Sequence, residues 1–115
     1  MRANKPGSKL EVAVLATLLA MCMPAGPSAA ADLAAGRAKA VQCAVCHGAN
    51  GMATLPDAPN LAGQSEIYLA KALRDFKSGA RKNEMMSVMA AGLSDADIEN
   101  LAAYYQSIEV LVKPQ

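Results

Sequence analysis

The run Cys43-Ala44-Val45-Cys46-His47 holds the residues of this chain best suited to chemistry. The sequence contains one histidine and three cysteines, and two of the cysteines stand just ahead of that histidine. Two thiols separated by two residues can serve as a thioredoxin-like redox pair, half of a zinc site, a disulfide, or the anchor of a c-type haem. The redox pair expects a βαβ setting, and no strand-like alternation occurs here. A structural zinc needs four protein ligands, and the chain from residue 32 onward has no further Cys or His to complete the set. A disulfide would leave the lone His47 unexplained. Haem c accounts for all three residues. Two sulfurs spaced this way reach the two former vinyl groups on one side of a porphyrin as thioethers, and the next residue places its imidazole under the ring.

His47 would fill one axial position on iron, and the residue opposite decides the chemistry. With no second His, methionine is the available donor, and a Met/His pair raises the reduction potential because the soft thioether favours Fe(II). The candidates are Met52, Met85, Met86 and Met89. Met52 is close to His47 in sequence, which makes it hard for its side chain to cross the ring. The cluster at residues 85–89 lies far enough along the chain to wrap to the other haem face. The remaining methionines would fill core space.

The elements that must position these residues read as helices. Residues 32–46 form an Ala-rich run in which Leu33, Gly36, Ala40 and Val41 are spaced to share a face. Residues 48–63 are rich in Gly, Pro and Asn and read as a loop. A structureless stretch of that length in a small domain usually has a task, such as wrapping a large ligand. Ser65 then looks like an N-cap, with Ile67, Leu69, Ala70, Leu73 and Phe76 following and Gly79 as the stop. Residues 85–91 suggest one or two helical turns. Ser94 caps a last helix whose inner face carries Ile98, Leu101, Ala102, Tyr105 and Ile108, with Asp95 and Asp97 in its first turn. The fold class is therefore all-α, with three main helices and one shorter one.

Composition supports a filled centre. The chain has 115 residues, with one Phe, three Tyr and no Trp. A domain this small and this poor in aromatics struggles to build a core unaided. The first 31 residues read as a secretory signal peptide: Arg2, Lys5 and Lys9, an uncharged apolar run from Val12 to Met23, and small residues at 28–31. The run is shorter than a bilayer span. A lipidated Cys22 is the weaker alternative, because Met21 before it is not small. Removing residues 1–31 moves the formal charge from +1 to −1, by loss of those three cations and Glu11. No basic stripe suggests nucleic acid. The expected organisation is a leader at 1–31 and one domain at 32–115, exported to the periplasm without stable membrane insertion.

The stretches CAVCHGANG, APNLAGQSEIYL, FKSGAR, EMMSVMAAGLSDADI and NLAAYY, in this order, resemble the class I c-type cytochromes. The likeness is to the short bacterial forms, such as one half of the two-haem cytochrome c4 and the small cytochromes c-553. It covers most of residues 36–108 and implies a small cytochrome c fold around one covalent haem. By position, the resemblance makes Met86 the distal ligand, with Met85 second. It gives the Pro59 carbonyl the role of accepting from His47 Nδ1, places Arg81 near the haem propionates, and sets Gly36 against Leu101 and Tyr104 where the first and last helices cross. The pattern would put Tyr104 inward where periodicity puts Tyr105.

With both axial positions filled, no site on iron is open to substrate, which implies a single-electron carrier with transient redox partners rather than an enzyme. Two other classes stay open at this point. One is the haem subunit of a larger oxidoreductase. The other is a gas-binding or peroxidatic haem without a distal Met.

Overall fold

The computed structural model describes residues 29–115. The expected leader, with its alternative lipidation at Cys22, lies almost wholly outside the described residues. Among them no helix is long and apolar enough to cross a membrane.

Five helices make up the described chain: α1 (Leu33–Ala40), α2 (Ala44–His47), α3 (Glu66–Ser78), α4 (Glu84–Ala91) and α5 (Asp95–Gln106). No strand occurs among the described residues. The all-α expectation holds, with one correction. The run at 32–46 is two helices, not one. The Asp32 carboxylate caps α1 by accepting from the N–H groups of Ala34 and Ala35 at 2.9 and 3.0 Å. After Ala40 the hydrogen bonds tighten to i→i+3 spacing: Gln42 to Lys39, Cys43 to Ala40 and Ala44 to Val41. The i→i+4 spacing resumes with His47 N–H to Cys43 O at 3.0 Å. A short overwound stretch of this kind re-phases the side chains that follow it. Gly36 and Ala40 are buried, as the shared face requires, whereas Leu33 and Val41 point outward.

Helix α3 buries Leu69, Ala70 and Phe76. Ile67 was expected among them and is instead 83% exposed. At 3.6 residues per turn it falls on the side opposite Leu69 and Phe76. The helix stops at Gly79 as expected. Its N-terminus differs from expectation, because Ser65 makes no side-chain cap. Gln106 at the end of α5 does that work, its Oε1 accepting from Glu66 N–H at 2.7 Å. Helix α4 is capped by Asn83, whose Oδ1 accepts from Met85 and Met86 N–H. Helix α5 opens with a reciprocal capping box between Ser94 and Asp97.

Helix α5 packs on α1 and α3, and α3 packs on α4. The core between them includes Leu69, Leu93, Ile98, Leu101, Ala102 and Tyr105. Ile98 and Leu101 are fully enclosed. Cys43 packs against this cluster from the end of the overwound turn.

Candidate cofactor site

The single turn of α2 carries Cys46 and His47, and Cys43 is its N-cap residue. Ala44 and Val45 between the sulfurs are small. One turn of helix therefore presents two thiols and one imidazole in the order that the sequence prescribes. Cys43 and Cys46 are both partly buried and are not joined to each other. Among the described residues no cluster of three or more His, Cys, Asp or Glu gathers as a metal site.

His47 is buried, with 7% of its surface exposed. Its Nδ1 lies 2.8 Å from the Pro59 carbonyl oxygen. A carbonyl can only accept, so Nδ1 carries the proton and donates it. Nε2 is left with a free lone pair, on a ring whose orientation is fixed by that bond. A ring nitrogen tied in this way makes the other nitrogen a better donor to a metal.

The loop at 48–63 that carries Pro59 has few regular elements but is closely hydrogen-bonded. Gly48 leaves α2 with φ of 78°, and a Cβ there would sit 1.9 Å from the Met52 carbonyl oxygen, so only glycine fits. Thr54 N–H donates to Cys46 O at 3.0 Å and its hydroxyl to Val45 O at 3.0 Å, which closes the loop back onto the motif. Leu61 and Ala62 N–H both donate to Gly51 O. The Asn60 side chain accepts from Ala53 N–H at 2.7 Å. The loop ends by donating Gly63 N–H to Tyr105 O on α5, at 2.9 Å. These bonds hold the Pro59 carbonyl at its distance from His47.

The methionines divide by exposure. Met85 is 60% exposed and Met52 44%, whereas Met86 and Met89 on α4 are half-buried. Asn83 fixes the start of α4 through Met86 N–H at 2.9 Å. Arg81 is exposed, and its guanidinium carbon stands 4.6 Å from the centre of the Phe76 ring. Arg81 N–H donates to Asp75 O at 2.9 Å.

Sequence reasoning placed Tyr105 inward but gave its hydroxyl no part. The ring is 4% exposed. The hydroxyl is fully enclosed and makes no hydrogen bond of ordinary geometry among the described residues. Cys43 packs against the same core cluster. Burial pushes the Cys43 thiol up from its ordinary value, and the Tyr105 hydroxyl acts the other way. The phenol itself is pushed far up by burial and by Cys43. Periodicity could find the ring but not its neighbour, because that contact depends on the turn between α1 and α2.

The residues present fit haem c. Two thiols and an imidazole with a free Nε2 share one turn, thioethers stand on α4, and a polar hydroxyl lacks a partner in the core against which Cys43 packs.

Comparison with known proteins agrees with this site. Residues 33–109 match the Cytochrome c family model. The chain belongs to the cytochrome c family, and so carries covalently bound haem c. It is 41% identical over 99 residues to cytochrome c4 of Pseudomonas aeruginosa, covering 86% of this chain and 49% of that protein. It is 46% identical over 83 residues to cytochrome c-554(548) of Halomonas halodenitrificans, covering 70% of this chain and 100% of that protein. In three dimensions it is similar to reduced recombinant cytochrome c4 from Pseudomonas stutzeri. The TM-score is 0.65 at 42% identity, over 70% of this chain and 47% of that one. The chain thus spans about half the length of the cytochrome c4 relatives it matches.

Proposed function

We propose that this chain is an exported single-electron carrier of the periplasm, in which Cys43 and Cys46 would tether haem c and His47 and Met86 would ligate its iron. Its partners are redox proteins that donate and accept electrons in transient contacts. The observation that carries the reading is the 2.8 Å bond from His47 Nδ1 to the Pro59 carbonyl, which leaves Nε2 free to ligate.

When bound, the haem iron supplies reversible one-electron Fe(III)/Fe(II) chemistry. The polypeptide's part is to hold and to exclude. Cys43 and Cys46 fix the porphyrin by two thioethers at one end of the α1–α2 turn. The loop at 48–63 would keep the imidazole in one orientation through the Pro59 carbonyl. Helix α4 offers Met86 from an element braced by its Asn83 cap, and a thioether there favours the reduced iron. With His47 and Met86 both holding the iron, water and small ligands would be kept from it.

The test uses protein produced in a host able to attach haem c. A pyridine haemochrome assay and the mass of the purified protein are expected to show one haem per chain and loss of a leader near residue 31. The oxidised protein should show the weak red charge-transfer band of sulfur ligation. Colourless protein, or a mass equal to the polypeptide alone, refutes the haem reading. A haem-loaded protein without that band refutes Met86.

A further inference from the structure

Tyr105 is joined to the cofactor site at both ends. Its backbone carbonyl accepts from Gly63 N–H at 2.9 Å and so anchors the loop that carries Pro59. Its side chain lies in the other direction, in the core cluster against which Cys43 of the motif packs. The ring is held from the side by Tyr104, with ring centres 5.2 Å apart. The hydroxyl is sealed from solvent and unpaired among the described residues. Keeping a bare hydroxyl in a core costs about as much as losing a hydrogen bond. Phe would fill the same space without that cost, so the hydroxyl needs an acceptor.

Haem attachment supplies one. A thiol can donate or accept, but a thioether sulfur has lone pairs and no proton, so it can only accept. We propose that the Tyr105 hydroxyl donates a hydrogen bond to the sulfur through which Cys43 is joined to haem, and that it is a positioning residue that tunes the reduction potential. This rests on the reading that Cys43 forms one of the two thioethers. A donor on that sulfur draws electron density away from the porphyrin edge. The sulfur is the better acceptor when the ring is electron-rich, so the bond is stronger in the reduced protein and favours Fe(II).

The experiment compares haem-loaded wild type with Tyr105→Phe and, as a control, Tyr104→Phe. Tyr105→Phe is expected to keep its full haem content and to move the Fe(II)/Fe(III) equilibrium toward Fe(III) by roughly two- to fivefold at a fixed ambient potential, the scale of a weak neutral hydrogen bond. Tyr104→Phe should leave the potential at the wild-type value. A purely structural ring would not move the potential. An unchanged potential in fully loaded Tyr105→Phe overturns the proposal while leaving the haem reading intact. Should Tyr105→Phe not load with haem, proton NMR of the reduced wild-type protein decides. A slowly exchanging Tyr105 hydroxyl proton with cross-peaks to the Cys43 β protons supports the bond, and a hydroxyl that exchanges freely and shows no such cross-peaks refutes it. Wild-type protein that is itself colourless removes the haem reading and this proposal together.

Discussion

The α-carbon of Gly36 faces the backbone carbonyl of Asn100 so closely that a Cβ on Gly36 would stand 2.1 Å from that oxygen and 2.8 Å from Tyr104 Cβ. Here α1 and α5 cross almost backbone to backbone. Asp32 N–H donates to Asn100 Oδ1 at 2.7 Å one turn away, which fixes the register of the crossing. Gly36→Ala puts a methyl where backbone already is, so the helices must part. The expected cost is about 1–3 kcal/mol of stability, the range of other overpacked sites. Thermal unfolding of the loaded protein measures it. An unchanged melting temperature would mean that the crossing yields without strain.

Met86→Ala should lower the reduction potential and open the iron to carbon monoxide once reduced. The thioether that stabilises Fe(II) is lost and a coordination position is freed. Met85→Ala, on an exposed side chain, should do neither. A Met86→Ala protein with wild-type potential and no carbon monoxide complex would transfer the assignment to Met89, the other half-buried methionine of α4.

The chemistry was legible in the sequence because it is local. The order Cys43, Cys46, His47 needs only one turn of chain. The inner face of α5 was also legible: Ile98, Leu101, Ala102 and Tyr105 follow the helical period and all are buried. The disagreement between Tyr104 and Tyr105 resolves in favour of both, Tyr104 at the Gly36 crossing and Tyr105 in the core. Other features depended on distant partners. No Gly or Pro stands at residues 41–44, so the change of helical spacing there left no local mark. The cap of α3 comes from Gln106, 40 residues from Glu66 in sequence. Ser65 has the right type for that task and the wrong geometry. The Pro59 carbonyl carries no side-chain signal, because every residue has a carbonyl. Its part was suggested by family likeness alone.

Acid should weaken the junction of α1 with α5 through Asp97. The Ser94 N–H and the Lys39 ammonium, 3.1 Å away, hold its carboxyl below the usual range. A depressed native value means that the stabilisation is complete above the unfolded carboxylate pKa, about 4. It fades as pH falls through the lower native one. Because the group is near the surface, its contribution should be below about 1 kcal/mol. Asp97→Asn should therefore be slightly less stable than wild type near neutrality, and the two should converge in strong acid. A gap that persists undiminished in acid would assign the effect to packing instead of charge. Ser94→Ala, which removes the hydroxyl that accepts from Asp97 N–H, should cost about 1 kcal/mol.

Replacing Cys43 and Cys46 together by Ala should leave little cooperative structure. The aromatic complement is one Phe and three Tyr, and Tyr68 is half exposed. The two fully enclosed large side chains are Ile98 and Leu101. Small domains of this kind rarely hold together without a staple or a bound group. Tethered haem supplies both, adding apolar bulk and tying it to the chain. Without the tethers the porphyrin would be held by ligation alone and should dissociate during purification. Circular dichroism of the double variant should show much reduced helix and a broad thermal transition. A sharp transition at wild-type helix content, in protein with no haem absorbance, would show that the polypeptide core is sufficient by itself.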